Sequence, residues 1–304
     1  MFDRKTTFVQ ELYQPRSKIT YIRDKYGLRG LHDPISKVEL VTVGGSTTDQ
    51  MYITEGETWQ DVIHLRTGVV IANAGVQGMT SRGHIAAVED WLHRIPNLRP
   101  KYFLHYVGIN DAALPSLEPH DSWSRQLRPR SAIWHAATQL RAWLAGPILI
   151  NHVSEDTPMF RAGPWVKSEV DRSEITDYVE KTFKPNLRRL LEIHRRSDEI
   201  ALFVSQPANP RYVKGEQGSV FVASLDLGKW PVALRDMNVA TETVCRESPV
   251  CRFVDLAGAL SFEPADFYDL VHYTPSGAGK IGAFLAHELG LVGLPLEYGH
   301  RNVE

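Results

Sequence analysis

The stretch VELVTVGGSTT, residues 38–48, decides how this chain is read. Val38, Leu40, Val41 and Val43 form a short apolar run with little alternation, the pattern of a strand covered on both faces. Gly44-Gly45 then breaks the run, and Ser46-Thr47-Thr48 suits a strand-to-helix turn. Four further apolar runs of the same kind lie at 69–73, 102–107, 200–205 and 252–256. Helical periodicity fills the intervals at 59–66, 82–95, 175–197, 234–247 and 275–289, the last with Thr274 placed to cap and Pro275 at the first helical position. Strand and helix alternate, so the predicted class is α/β: a parallel sheet with helices on both faces.

The expected organisation is one domain over 38–304, with a polar arm over 1–37 docked on it and a helical insertion at about 112–175. The third and fourth strands stand some ninety residues apart, far more than a crossover needs. The insertion carries Trp123, Trp134, Trp143 and Trp165, and an apolar piece at 145–150 too short to span a bilayer. It reads either as a subdomain packed on the core or as a wall over the functional site, with membrane-surface contact a minor third reading.

At 304 residues, 43% hydrophobic and 23% charged, the chain can bury a large core without staples. A net charge of −2 offers no electrostatic argument for nucleic acid. No run is long and apolar enough for an integral membrane segment. Met1-Phe2-Asp3-Arg4-Lys5 lacks the apolar region of a signal peptide, which leaves two readings of the compartment open: a cytoplasmic chain, or a fragment of a longer periplasmic or secreted protein. Cys245 and Cys251 either close a short disulfide loop in an oxidising compartment or, as cytosolic cysteines usually do, stay reduced. Their spacing is not that of a zinc site.

In an open α/β sheet, ligands bind beyond the carboxyl ends of the strands. Ser46 follows the first strand, where a Ser among small residues exposes both its hydroxyl and its N–H. Gly78, in Gly75-Val76-Gln77-Gly78 after the second strand, lets a backbone N–H approach developing negative charge. Asn110, in Gly108-Ile109-Asn110-Asp111 after the third, supplies a neutral, directional amide donor. His272 lies three residues after Asp269, close enough for the carboxylate to hold one ring nitrogen and leave the other for a serine proton. Asp255 is a rival acid, better read as a loop brace. Each block alone is a common turn. Neither Gly75–Gly78 nor Gly277-Ala278-Gly279-Lys280 has the full spacing of a nucleotide-binding loop.

Taken in order, Ser46, Gly78, Asn110 and Asp269/His272 resemble the four blocks of the SGNH (GDSL-type) hydrolase superfamily. The resemblance covers about 38–111 and 252–289. The first block reads Gly-Gly-Ser-Thr-Thr in place of Gly-Asp-Ser-Leu, and His272 is not followed directly by Pro. The resemblance implies a flavodoxin-like α/β/α sandwich with five parallel strands in the order 2-1-3-4-5. It also implies ester hydrolysis through an acyl-enzyme, with Ser46, His272 and Asp269 catalytic. The oxyanion hole would be formed by Ser46, Gly78 and Asn110, and no metal or organic cofactor is needed.

Substrate choice is weakly encoded. Gln206, Asn209 and Arg211, after the fourth strand, offer polar groups to a sugar or other alcohol. The expected substrate is a small-molecule or carbohydrate ester with a short acyl group, acetyl being the first guess. Two alternatives stand beside it: O-acyl transfer to a polysaccharide or other alcohol by the same residues, and a non-catalytic binding protein on the same fold.

Overall fold

The computed structural model describes residues 4–10, 17–30, 32–113, 162–163, 172–210, 219–220 and 229–291. Most of the expected insertion, its four tryptophans included, lies outside the described residues, as does Arg211. An antiparallel hairpin comes first, β1 (Arg4–Gln10) with β2 (Ser17–Arg23). The core sheet has five strands: β3 (Leu40–Gly44), β4 (Ile71–Gly75), β5 (Tyr102–Tyr106), β6 (Ile200–Val204) and β7 (Cys251–Val254). All are parallel, in the order β4-β3-β5-β6-β7, which is the expected 2-1-3-4-5 over the core strands. Ala162–Gly163 pairs separately with Ser219–Val220.

Alternation along each strand divides the core into two layers. Val41, Val43, Ala74, Phe103, Ala201 and Phe203 face one side with Val88, Leu187, Leu190 and Met237. Leu40, Leu104, Tyr106, Leu202 and Val204 face the other with Trp59, Ile63, Ile281 and Leu285. The first layer is roofed by α3 (Ser81–Ala86), α4 (Ser173–Tyr178), α5 (Lys184–Arg196) and α6 (Lys229–Arg246). The second is roofed by α2 (Trp59–Thr67) and α8 (Pro275–Leu291). The short helices α1 (Ser46–Asp49) and α7 (Leu256–Ala259) follow strands directly. Two of the helical stretches expected from periodicity, 82–95 and 175–197, are interrupted by a wider π turn, at Ala87–Trp91 and Val179–Phe183.

Local chemistry explains the boundaries. Thr58 and Asp61 cap the start of α2 reciprocally, each side chain accepting the other's backbone N–H. At the start of α8, Thr274 Oγ1 accepts the N–H of Gly277 at 3.4 Å. Trp59 is fully buried and its Nε1 donates to the Thr47 carbonyl at 3.1 Å, so α2 is fastened to the turn that follows β3. Removing that side chain would cost about 3–5 kcal/mol.

Reduced cysteines are not what the structure holds: Cys245 and Cys251 form a disulfide. The turn between α6 and β7 is closed by the N–H of Ser248 bonding to the Cys245 carbonyl and that of Cys251 to the Ser248 carbonyl. It brings the two Cα atoms to 5.2 Å, within bonding range for a disulfide.

A polar chain runs through the first layer. His84 Nδ1 meets His105 Nδ1 at 3.0 Å, and His105 Nε2 meets His194 Nε2 at 2.8 Å. His194 Nδ1 then meets Glu199 at 2.8 Å, and the same carboxylate receives His93. A carboxylate only accepts, so His194 carries its proton on Nδ1, His105 on Nε2 and His84 on Nδ1. Every ring in the interior is thereby neutral with one donor used. Burial pushes His84 down to about 3. Burial, then the neighbouring His194 and His84, push His105 well down. Burial lowers His194 too, against the pull of Glu199.

These groups have folded-state pKa values below those of the unfolded chain, where histidine titrates near 6.5. Their stabilisation is complete above about pH 6.5 and is lost as pH falls toward their folded-state values. Thermal denaturation between about pH 7 and pH 5 should show the midpoint falling below about pH 6.5. In a His105→Phe/His84→Leu variant that slope should be shallower. A midpoint flat over this range in the native protein would contradict neutral, buried rings.

Candidate active site

Ser46 is the first residue of α1, directly beyond β3, with extended Gly45 as its cap. Its N–H is one of the first-turn donors that a helix cannot satisfy internally. His272 lies in the loop before α8, and its Nε2 stands 2.6 Å from Ser46 Oγ. Its Nδ1 stands 2.6 Å from Asp269 Oδ2, while Asp269 Oδ1 accepts the N–H groups of Val271 at 2.9 Å and His272 at 2.7 Å. The carboxylate must be met by an N–H, so the His272 proton sits on Nδ1 and Nε2 presents a lone pair. The Ser46 hydroxyl donates to it.

Electrostatics follow from the same contacts. Burial works to lower the pKa of His272. The Asp269 charge, its hydrogen bond and the charge of Asp49 outweigh burial, and the ring lies above the ordinary histidine value. Burial works to raise Asp269, but His272 and two backbone N–H bonds hold it below the ordinary carboxyl value. The ring therefore takes a proton readily and its charged form is well stabilised.

The loop carrying the pair is pinned on several sides. Asn209 bonds the Leu270 carbonyl through its N–H at 2.9 Å and the Asp269 carbonyl through Nδ2 at 3.0 Å. The hydroxyls of Tyr106 and Tyr273 meet at 2.6 Å, tying β5 to the residue after His272. The Tyr268 ring stacks on His272 with 7° between planes and 5.5 Å between centroids.

Two further expected residues follow the strands on either side of β3. Gly78, after β4, has φ of 75°, the left-handed region that glycine favours, and its N–H has no acceptor among the described residues. Asn110, after β5, donates one amide hydrogen of Nδ2 to the carbonyl of Met79 at 2.9 Å, leaving the second hydrogen unused in that bond. A Cβ on Gly45 would stand 2.2 Å from this Nδ2, so glycine there admits the amide beside Ser46. Asp111 fixes the helix behind Gly78 through Ser81, bonding its N–H at 2.8 Å and its hydroxyl at 2.6 Å.

Gln206, Asn209 and Asp255 each bond neighbouring parts of the chain. Gln206 is buried and its Oε1 accepts from the Thr47 hydroxyl at 3.2 Å. Asn209 is buried behind the Asp269 loop. Asp255 takes the N–H of Gly258 and the hydroxyl of Ser205, and so braces α7 as expected of the rival acid. Three residues went unread. Asp49 is buried one helical turn after Ser46, and its Oδ1 accepts from the hydroxyl of Tyr21 at 2.6 Å and from Arg23 at 2.7 Å. The signal for Tyr21 and Arg23 is the alternation in Ser-Lys-Ile-Thr-Tyr-Ile-Arg, which puts Ile19, Tyr21 and Arg23 on one strand face.

No protein-family model matches the sequence, and no curated protein is similar to it. Among solved structures, the fold is similar to a lipolytic protein of the G-D-S-L family from Veillonella parvula, at 12% identity over 82% of this chain and 96% of that one (TM-score 0.48). It is similar also to a GDSL-like lipase from Bacteroides thetaiotaomicron, at 14% identity over 86% and 93% (TM-score 0.48). An acetylxylan esterase from Geobacillus stearothermophilus, solved as a catalytic mutant, is 15% identical over 83% and 93% (TM-score 0.48).

A Gly45→Ala substitution should force the Asn110 amide away from Ser46 and lower stability by about 1–3 kcal/mol, the usual cost of overpacking. Denaturant melts give the energy, and the Asn110 side-chain resonances report the displacement. Unmoved resonances would show that the amide does not depend on Gly45.

Proposed function

We propose that this protein hydrolyses carboxylic esters through a covalent acyl intermediate on Ser46. The observation that carries this reading is the unbroken line from Ser46 Oγ to His272 Nε2 and from His272 Nδ1 to Asp269, each contact 2.6 Å. The order of the four sequence blocks supports it, as does their clustering beyond the carboxyl ends of parallel strands.

In this reading Ser46 Oγ attacks the ester carbonyl carbon as His272 Nε2 takes the hydroxyl proton. Asp269 keeps the ring in the right tautomer and stabilises its charged form. The carbonyl oxygen becomes an oxyanion held by the N–H groups of Ser46 and Gly78 and the free amide hydrogen of Asn110. Such donors are already oriented and cost no reorganisation at the moment of reaction. Collapse of the tetrahedral intermediate breaks the bond to the alcohol, which leaves with the proton from His272. Water then attacks the acyl-enzyme, gives its proton to His272, and the acid departs as Ser46 recovers its hydrogen. Gln206 and Asn209 act in this reading as braces of the site. A short acyl group, acetyl on a carbohydrate included, is the first substrate class to test.

Ser46→Ala and His272→Ala should each lower turnover by about 10³-fold or more, and Asn110→Ala by roughly 10²–10³-fold. A p-nitrophenyl ester series from acetate to palmitate, run beside the Ser46→Ala variant, measures this. Activity that survives in the variant would end the serine mechanism. Activity absent from a folded native protein would shift the reading to acyl transfer or to binding.

The base must be neutral, and His272 titrates above the ordinary value of about 6.5. The acidic limb of kcat/KM should therefore have its midpoint above 6.5, with activity lost as pH falls through it. A limb at or below that value would contradict the Asp269 and Asp49 influence.

A further inference from the structure

The amino-terminal hairpin reaches the site from outside the core sheet. Arg23, at the end of β2, places one guanidinium nitrogen 2.7 Å from Asp49 Oδ1 and 2.6 Å from the carbonyl of Gly75. Its Nε donates to the hydroxyl of Tyr21 at 2.5 Å, and Tyr21 in turn donates to the same Asp49 oxygen at 2.6 Å. Asp49 belongs to the helix that Ser46 begins, and Gly75 opens the loop that ends in Gly78. One cation thus bridges the segment carrying the nucleophile and the segment carrying an oxyanion donor.

We propose that Arg23 is a positioning residue of this active site. It offsets the buried charge of Asp49 behind Ser46 and fixes the root of the Gly75–Gly78 loop.

The inference rests on the ester-hydrolysis reading above. Its electrostatics involve few groups. Asp49 is faced from β2 by Tyr21 and Arg23. Arg29 bonds the Asp49 and Gln50 carbonyls and is itself paired with Glu55 at 2.8 Å. His272 is faced by Asp269 on its own loop, by the stacked Tyr268 ring and by the charge of Asp49 from α1. A buried carboxylate with its countercharge removed is felt strongly by neighbours, because little solvent screens it. Two separable effects follow. The positive charge of Arg23 damps the pull of Asp49 on His272. The fork of the guanidinium, bonding carboxylate, phenol and carbonyl together, holds the loop in register. A lysine could supply the first but not the second.

The test reads two quantities in the intact protein: the acidic limb of kcat/KM with p-nitrophenyl acetate, and the His272 imidazole titration followed by NMR. Arg23→Gln should move both midpoints up by about 0.5–1 pH unit, since an unbalanced anion favours the protonated ring. It should also lower kcat about tenfold or more with little change in KM, as a displaced donor does. Asp49→Asn should move both midpoints down. Arg23→Lys should return the midpoints toward the native values while kcat stays low. A fall in kcat with unmoved midpoints in both Arg23→Gln and Asp49→Asn would mean a merely structural arm and overturn the proposal. If Arg23→Gln does not fold, Asp49→Asn carries the decision: midpoints that move down support the proposal, and unmoved midpoints overturn it. The imidazole titration needs no substrate. Should the native protein cleave no ester, shifted titrations would still support the Arg23–Asp49–His272 coupling, and only the catalytic reading would fail.

Discussion

The contact between Ser46 and His272 joins side chains 226 positions apart along the chain at 2.6 Å. Holding such a separation to hydrogen-bond tolerance is a demand on the whole second layer of the core. The helix of residues 275–291 begins three residues after His272 and packs on the helix of residues 59–67. Trp59 of that helix donates to Thr47, next to Ser46. Behind the base, the Tyr106–Tyr273 bond refers the loop to the central strand, and Asn209 refers it to the strand beside it. Ser46 and His272 are therefore located by one set of packed, buried side chains, and a shift in that layer is a shift in the site.

The sequence makes the core sheet and the candidate site residues legible for one physical reason. Strands covered on both faces must be apolar throughout, so they stand out, and chemistry at such a sheet lies just beyond their ends. The positions of Ser46, Gly78, Asn110, Asp269 and His272 follow from that rule together with short-range spacing. Arg23, Tyr21 and Asp49 escape it because their pairing is long-range. A charged residue in a polar leader reads as solvated until the surface that covers it is known. Arg29 is the clearest instance, nearly fully buried with its guanidinium spent on backbone carbonyls. The histidine chain is hidden for a related reason, since His84, His105 and His194 come from three separate elements and no local pattern links them.

Charge in this molecule is placed with an economy that links stability to function. The interior of the first layer holds rings that must stay neutral, whereas the site beyond the strand ends holds a ring whose protonated form is favoured. Burial holds the interior rings below the ordinary histidine value, whereas the carboxylates beside His272 hold that ring above it.

The ends of the core sheet carry a different consequence. An open sheet exposes unpaired backbone at its first and last strands, a template for strand addition or swapping between molecules. On one side, Arg29 bonds Asn73 of the outer strand in both directions, at 2.8 and 3.1 Å, so the leader occupies part of that border. On the other, the last strand is covalently tied through Cys251 to the helix before it and presents exposed Arg252. That strand cannot peel away and exchange with a second copy without taking residues 229–246 along. One border of the sheet is thus partly paired by the leader, and the strand at the other border is tied at its start to the preceding helix.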